Sequence, residues 1–93
     1  MDRAESLDLL RSQHQFPGVF EFRVVIRPGK RSTVVSAMTA AAGPGARLEG
    51  VRERNSRNGN YVALRVGIDV DDAERVLDVY EVLKALDGIL AVM

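Results

Sequence analysis

The stretch SRNGNYVALRVGIDVDDAE, from Ser56 to Glu74, decides the fold of this chain. It opens with a glycine turn, continues as an alternating apolar run and ends in a cluster of carboxylates. Asn58-Gly59 is a strong hairpin signal, because both residues tolerate the positive φ of a type I′ turn. Every second residue from Val62 to Ile68 is apolar, which predicts a strand with one buried face. The stretch therefore predicts a hairpin whose second strand leads into a helix.

The acids that follow this strand are Asp69, Asp71, Asp72 and Glu74. A calcium loop needs a longer pattern with a central glycine and a terminal glutamate, and that pattern is missing here. Asp71 and Glu74 have capping-box spacing, and carboxylates in a first turn complement the helix dipole. We therefore interpret the acids as the start of a helix with an apolar stripe over Ala73–Leu86, and we predict no metal site.

The segment before the hairpin turn, Ala46–Asn55, is typical of a charged edge strand. Its apolar residues fall on opposite faces unless a bulge intervenes near Gly50. A strict two-residue hairpin loop would set Arg52 opposite Arg65, which is unfavourable for like charges. We therefore expect a longer loop or a bulge that avoids this pairing.

The first half of the chain has the same strand–helix order. Within Val19–Arg27 every second residue from Phe20 to Ile26 is apolar, which predicts the first strand. Arg27-Pro28-Gly29 ends the strand, and Ser32 or Thr33 is the expected N-cap of the next helix. Gly43-Pro44-Gly45 ends that helix, because proline cannot continue it and glycine suits a left-handed residue.

A short apolar strand over Ile89–Met93 completes the order β-α-β-β-α-β. This order predicts an α+β, ferredoxin-like sandwich with an antiparallel sheet in the order 4-1-3-2 and two helices on one face. We expect a single domain over residues 1–93. Residues 1–15 are interpreted as a short helix or frayed tail, and residues 16–93 as the ferredoxin-like core.

Composition excludes several classes of protein. The 93 residues contain no cysteine, which suits a reducing cytosol, and no apolar run reaches membrane-spanning length. We therefore expect a cytoplasmic protein without a membrane partner. The formal net charge of zero argues against a general nucleic-acid binder. The charge is nevertheless uneven, since residues 19–68 carry a net +6 and residues 69–93 a net −5.

Motifs for catalysis or cofactor binding are not found. The one histidine, His14, lies in the weakly patterned N-terminal segment, so we predict no catalytic residue, no cofactor and no enzymatic activity. Gly29-Lys30 is not a phosphate loop, because Val24 stands where the first glycine belongs. An RNA-reading sheet needs several exposed aromatic residues, and Tyr61 alone is expected on the open face.

The basic residues give the clearest functional hypothesis. In the predicted topology, the loop after the first strand and the hairpin turn lie at one end of the sheet, opposite the acids. This end also holds the positive N-terminus of the first core helix, so it suits an anion. The candidate ligand-binding residues are Arg27, Gly29, Lys30, Arg31, Arg54 and Arg57.

The sequence also resembles the YbeD-like family of small uncharacterised bacterial proteins. The resemblance implies an ACT-like variant of the ferredoxin-like fold, a cytoplasmic location and no established activity. ACT domains are often regulatory modules that bind small ligands near the first strand-to-helix loop and pair through sheets or helices. The residues that carry the resemblance are Phe16-Pro17, Gly59-Asn60-Tyr61, Val76, Tyr80-Glu81, Leu83 and Asp87.

Three functions follow as hypotheses. The first is an ACT-like regulatory or binding module that recognises an anionic small molecule or an acidic protein surface at the basic end. The second is a structural or adaptor protein that pairs its sheet or helices with another chain, including a second copy, with Tyr61 and Tyr80 as candidate partner contacts. The third is an RNA-binding module that stacks a base on Tyr61.

Overall fold

The structure, a computed structural model, describes residues 2–93. Its four strands form one antiparallel sheet in the order β2-β3-β1-β4, which confirms the predicted topology. A helix over part of the N-terminal segment precedes the core. The elements in chain order are α1 (Arg3–Gln13), β1 (Gly18–Ile26), α2 (Arg31–Ala41), β2 (Arg47–Asn55), β3 (Val62–Val70), α3 (Ala73–Ala85) and β4 (Ile89–Val92).

The core lies between one face of the sheet and the helices α2 and α3. The central strands β1 and β3 alternate between buried and outward-facing residues, and their buried sides meet the buried residues of both helices. This is the arrangement expected for an antiparallel sheet with one covered face. The fully buried large side chains include Phe22, Ile26, Met38, Leu64, Ile68 and Leu83.

The hairpin between β2 and β3 differs from the predicted type I′ turn. The Gly59 amide donates to the Ser56 carbonyl at 3.0 Å, and the Ser56 amide donates to the Tyr61 carbonyl at 2.9 Å. Gly59 has a φ of 73°, whereas no residue other than glycine has a positive φ in residues 2–93. Asn58 is therefore not left-handed, and the turn needs left-handed geometry only at its glycine.

Residues 56–61 connect β2 to β3, which confirms the longer loop, but the predicted avoidance of an arginine pair is wrong. In the register of β2 and β3, Arg52 lies directly opposite Arg65. The bulge that the sequence predicted near Gly50 is present, between Leu48 and Gly50, but it lies farther from the turn than this pair. The register instead follows burial, because Val51 faces Val66 on the covered side and a slip by one residue would turn that side outward.

Both core helices begin differently from the sequence prediction. Helix α2 has Lys30 as its N-cap, without a side-chain cap from Ser32 or Thr33. Helix α3 has Asp72 as its N-cap, so the predicted capping box of Asp71 with Glu74 is not formed. In both cases the local sequence offers more than one candidate cap, and the structure uses a residue close in sequence to the expected ones.

Helix α1 is held against α3 by ion pairs. Asp2 caps α1, since its carboxylate accepts from the Glu5 amide at 2.8 Å. The Arg11 guanidinium donates through Nε and Nη2 to the two carboxylate oxygens of Asp72, at 3.3 and 2.7 Å. Arg3 donates to Asp78 at 3.0 Å. The acid that caps α3 is therefore also the anchor of α1.

The Arg11–Asp72 pair makes the docking of α1 sensitive to acid. The hydrogen bond from Arg11 lowers the pKa of Asp72 from 3.8 to about 2. A depressed carboxyl pKa stabilises the folded state above pH 3.8, and this contribution is lost as the pH falls toward 2. We expect the protection factors of the α1 amides, which correct for the pH dependence of intrinsic exchange, to fall in this window before the sheet unfolds. In Asp72→Asn, which keeps a good N-cap, α1 should exchange faster already at pH 7 and respond less to acid. Equal exchange in the two proteins at pH 7 would show that the pair does not hold α1.

Candidate functional site

The two arginine-bearing turns lie at the same end of the sheet. Val62 of β3 pairs with Ile26, the last residue of β1, and with Asn55, the last residue of β2. The loop that follows β1 and the hairpin turn therefore both extend beyond this row. This end of the molecule, with Arg27, Gly29, Lys30, Arg31, Arg54 and Arg57, is called the basic end below.

The basic residues at this end differ in their partners. Arg31 forms an ion pair with Glu53 of β2, and the Lys30 Nζ lies 4.0 Å from an Asp87 carboxylate oxygen. Among residues 2–93, no carboxylate lies within ion-pair distance of Arg27, Arg54 or Arg57. Part of the positive charge at the basic end is thus uncompensated within the chain.

Gly29 and Arg31 line an open groove between α2 and β2, which we call the α2 groove. Its polar end is formed by Arg31 and Ser32 and its apolar floor by Val35, Leu48 and Val51, with Gly29 and Ser36 completing a volume of about 540 Å³. The groove exists because the helices leave the edge strand uncovered. Even Leu48, which pairs with Ile68 on the covered side, is 44% exposed.

Gly29 shapes the entrance to this groove through its conformation. Its φ is 83°, and no atom lies within 4 Å of the position that a Cβ would occupy. The left-handed region is costly for other L-residues. The glycine is therefore required by the turn rather than by a close neighbour.

A second basic surface crosses the open face of the sheet and was not predicted from the sequence. Arg65 of β3 is paired with Arg23 of β1 on one side and Arg52 of β2 on the other. Arg54 lies one level nearer the hairpin, opposite Ala63. We call Arg23, Arg52, Arg54 and Arg65 the arginine face. Only Arg23 has an acid within ion-pair distance in residues 2–93, with its Nε 3.5 Å from a Glu21 carboxylate oxygen.

The arginine face surrounds a depression and continues toward the hairpin. The depression has a volume of about 350 Å³, with Ala63 on its floor and Met93 at its rim. A second depression of about 390 Å³, lined by Arg57 and Tyr61, shares Arg54 and Ala63 with the first. Tyr61 is 45% exposed. The open face therefore carries a continuous run of arginines and small residues that ends at Tyr61. Glu21 and Glu49 lie beside Arg52 and Arg65 on the side away from the hairpin.

The two tyrosines considered as partner contacts lie on opposite sides of the sheet. Tyr80 belongs to α3, and its half-buried ring lies edge-on to Phe22 at a centroid distance of 5.4 Å. Burial raises the pKa of its phenol. His14 is exposed, but its ring packs edge-on against Phe20 at 4.9 Å. Tyr80 and His14 thus contribute to one aromatic cluster on the helix side, away from Tyr61.

The acids at the opposite end of the sheet are arranged as structural partners. Asp69 pairs in register with Arg47, and Asp72 binds Arg11. Within residues 2–93, no group of three or more acidic or histidine side chains is placed to hold a metal ion. In the same residues, no helix is long and apolar enough to cross a membrane.

Solved structures place this fold in a class. The C-terminal domain of the MgtC protein from Mycobacterium tuberculosis aligns with a TM-score of 0.68 and 15% identity, over 87% of this chain and 88% of that one. Protein HP0495 from H. pylori aligns with a TM-score of 0.68 and 17% identity, over 87% and 86% of the two chains. These neighbours define the chain as an ACT-like variant of the ferredoxin-like fold.

The family is defined more specifically by sequence. The family described as "Protein of unknown function (DUF493)" matches residues 11–93, and the chain belongs to it. The resemblance to the YbeD-like family is thereby confirmed, since the two are the same family. No curated protein matches the chain significantly.

Proposed function

We propose that this protein is a non-enzymatic, ACT-like regulatory or binding module that recognises an anionic small molecule, or an acidic protein surface, at its basic end. The observation that carries the proposal is the α2 groove. Its polar end has the guanidinium of Arg31 and the hydroxyl of Ser32, and its floor is apolar. A carboxylate with an apolar body matches both parts.

The arrangement favours binding over catalysis because no paired acid and base lie in the groove. Its polar side chains are Arg31, Ser32 and Ser36, and none of them is a general base at neutral pH. Small-ligand sites are typically apolar clefts with a few polar groups that set orientation. In this groove a ligand anion would compete with Glu53 for Arg31.

The proposal predicts binding of simple carboxylates at the basic end. The probes are hexanoate, which combines a carboxylate with an apolar chain, and octaglutamate, which represents an acidic surface. On titration with hexanoate, we expect the amide signals of Gly29, Ser32 and Val35 to shift in an NMR spectrum. Arg27→Glu with Arg31→Glu should weaken binding of both probes at least tenfold, because the variant reverses the charge around the polar end.

A matched control is Arg47→Glu with Arg75→Glu, which makes the same formal charge change at the other end of the sheet. The control should keep the affinity for both probes within about twofold. Charge reversal at Arg31 or Arg47 creates like-charge contacts on the surface that cost only modest stability, so both variants should remain folded under the conditions of the titration. The proposal is rejected if neither probe binds the wild type, or if the basic-end variant binds as tightly as the control.

A further inference from the structure

We propose that the arginine face binds single-stranded nucleic acid, with phosphates on the arginines and a base stacked on Tyr61. The inference goes beyond the proposed function, because it concerns the open face of the sheet rather than the α2 groove. The two surfaces lie on opposite sides of the sheet. Only Arg54 belongs to both the basic end and the arginine face.

The first argument is the electrostatic repulsion among Arg23, Arg65 and Arg52, which lie side by side across three strands and are called the arginine row below. Directly opposite residues in an antiparallel sheet have Cβ atoms about 4.5–5.5 Å apart, and like charges there are destabilising. Arg65 has such a neighbour on both sides, Arg23 and Arg52. The register fixes which positions face each other, but it does not require arginine at any of them. A bound polyanion would offset this repulsion, because each arginine would then lie next to a negative charge.

The second argument is the chemistry of the cations. All the basic side chains on this surface, including Arg57, are arginines and none is lysine. The planar guanidinium fork fits phosphate oxygens in a bidentate way and also stacks on flat rings. Neighbouring guanidiniums at cross-strand spacing can share one phosphate, because each of its two charged oxygens accepts more than one hydrogen bond. A carboxylate of an acidic protein also offers two charged oxygens, so the exposed ring of Tyr61 beside the row, rather than the number of oxygens, favours a nucleic acid.

The third argument is the shape of the surface around Tyr61. The side chain of Tyr61 is 45% exposed and follows Ala63 and Arg65 along one face of the chain. Because the side chain of Ala63 is small, no bulky side chain stands at this position between the Tyr61 ring and the arginines. Unstacked bases of a single strand bind such exposed rings, whereas bases inside a duplex are not available.

The open shape also favours a chain over a free nucleotide. A small-ligand site usually encloses most of its ligand. Here two shallow depressions, of about 350 and 390 Å³, are joined through Arg54 and Ala63 into one uncovered path. A strand that crosses this path can contact several arginines at once, which an isolated nucleotide cannot do. The zero net charge of the chain does not oppose this, because the acids that balance the arginines lie mostly in residues 69–93.

The inference is tested by fluorescence anisotropy with a fluorescein-labelled twelve-nucleotide oligouridine and the full chain. Single-strand contacts contribute a salt slope of about −0.7 per phosphate, so three contacts give a slope of about −2. We expect Arg52→Ala with Arg65→Ala to lower the affinity at least tenfold and to reduce the slope by about 1.4. Tyr61→Ala should lower the affinity about tenfold with an unchanged slope, because stacking carries no charge.

The matched control is Arg47→Ala with Lys84→Ala, which removes the same charge away from the arginine face and should bind as the wild type does. If the double variant folds poorly, Arg54→Ala serves as a second variant, and it should also lower the affinity.

The inference is overturned if the arginine-face variants and the control lose affinity equally. It is also overturned if a duplex of the same length binds more tightly than the single strand. Octaglutamate that displaces the probe as well as unlabelled oligouridine does would assign the face to an acidic protein instead. Neither result depends on carboxylate binding in the α2 groove.

Discussion

Arg65→Glu should make the protein more stable while it weakens oligouridine binding about 100-fold. The new carboxylate lies between Arg23 and Arg52, so two like-charge pairs become two opposite-charge pairs. Cross-strand pairs contribute about 0.2–1 kcal/mol each, and we expect the free energy of unfolding to rise by about 1 kcal/mol. The same reversal repels phosphates, and a 100-fold loss corresponds to about 2.7 kcal/mol of binding free energy.

The control for this prediction is Arg47→Glu on the same open face. Arg47 lies opposite Asp69, and its Nη2 is 3.6 Å from a Glu49 carboxylate oxygen, so reversal there creates like-charge contacts. This variant should lose stability and keep most of its affinity. Urea denaturation and anisotropy titrations give both quantities. If Arg65→Glu is less stable than the wild type and binds as well, the arginine row is only a solvated surface.

Phe22→Ala should cost about 3–5 kcal/mol of unfolding free energy, the range typical of large core truncations. The Phe22 side chain is fully buried in the centre of β1. Its ring lies 4.8 Å from that of Phe20 and edge-on to Tyr80, so truncation removes aromatic contacts and leaves a cavity between sheet and helices. For a domain with a total stability of about 5–15 kcal/mol, this is a large fraction.

The comparison for Phe22→Ala is Val19→Ala in the same strand. Val19 is 58% exposed, so its truncation should cost less than about 1 kcal/mol. Urea unfolding followed by circular dichroism measures both variants. Similar midpoints for the two variants would contradict the assignment of the inward face of β1, and with it the side of the sheet on which Arg23 lies.

The central strands were predictable from the sequence because burial imposes a period of two. In β1 and β3 one face is fully covered, so apolar residues recur at every second position, such as Phe22 and Val24 or Leu64 and Val66. This pattern predicts both the strand and the face that is buried. The sheet order then follows from connection rules that exclude most other topologies. The bulge near Gly50 was predictable for the same reason, since the apolar residues on either side otherwise face opposite ways.

The caps of the two core helices could not be predicted because several local candidates compete, whereas Asp2, at capping-box spacing from Glu5, does cap α1. Asp71 and Asp72 are equally suited to begin α3 by residue type. The structure uses Asp72, whose carboxylate binds Arg11 of α1 rather than a backbone amide of its own helix. No local pattern contains a partner that lies 61 residues away along the chain.

The candidate site was only partly predictable. The common end of the two turns followed from the topology, and so did the position of Gly29 and Arg31 at the first strand-to-helix loop. The arginine face did not, because the repulsion between Arg52 and Arg65 argues against the register that pairs them. The apolar pairing of Val51 with Val66 on the covered side outweighs this repulsion, because a buried face specifies register more strongly than a surface pair.

The most direct test of the arginine face is a ¹⁵N-resolved NMR titration of the wild type with unlabelled oligouridine. We predict that the largest shifts occur at the amides of Ala63 and Arg65 and at the guanidinium Nε–H signals of Arg23, Arg52 and Arg54. Helix α3 and the α2 groove should change little. Shifts that centre on Ser32 and Val35, or no shifts at saturating oligouridine, would contradict the account.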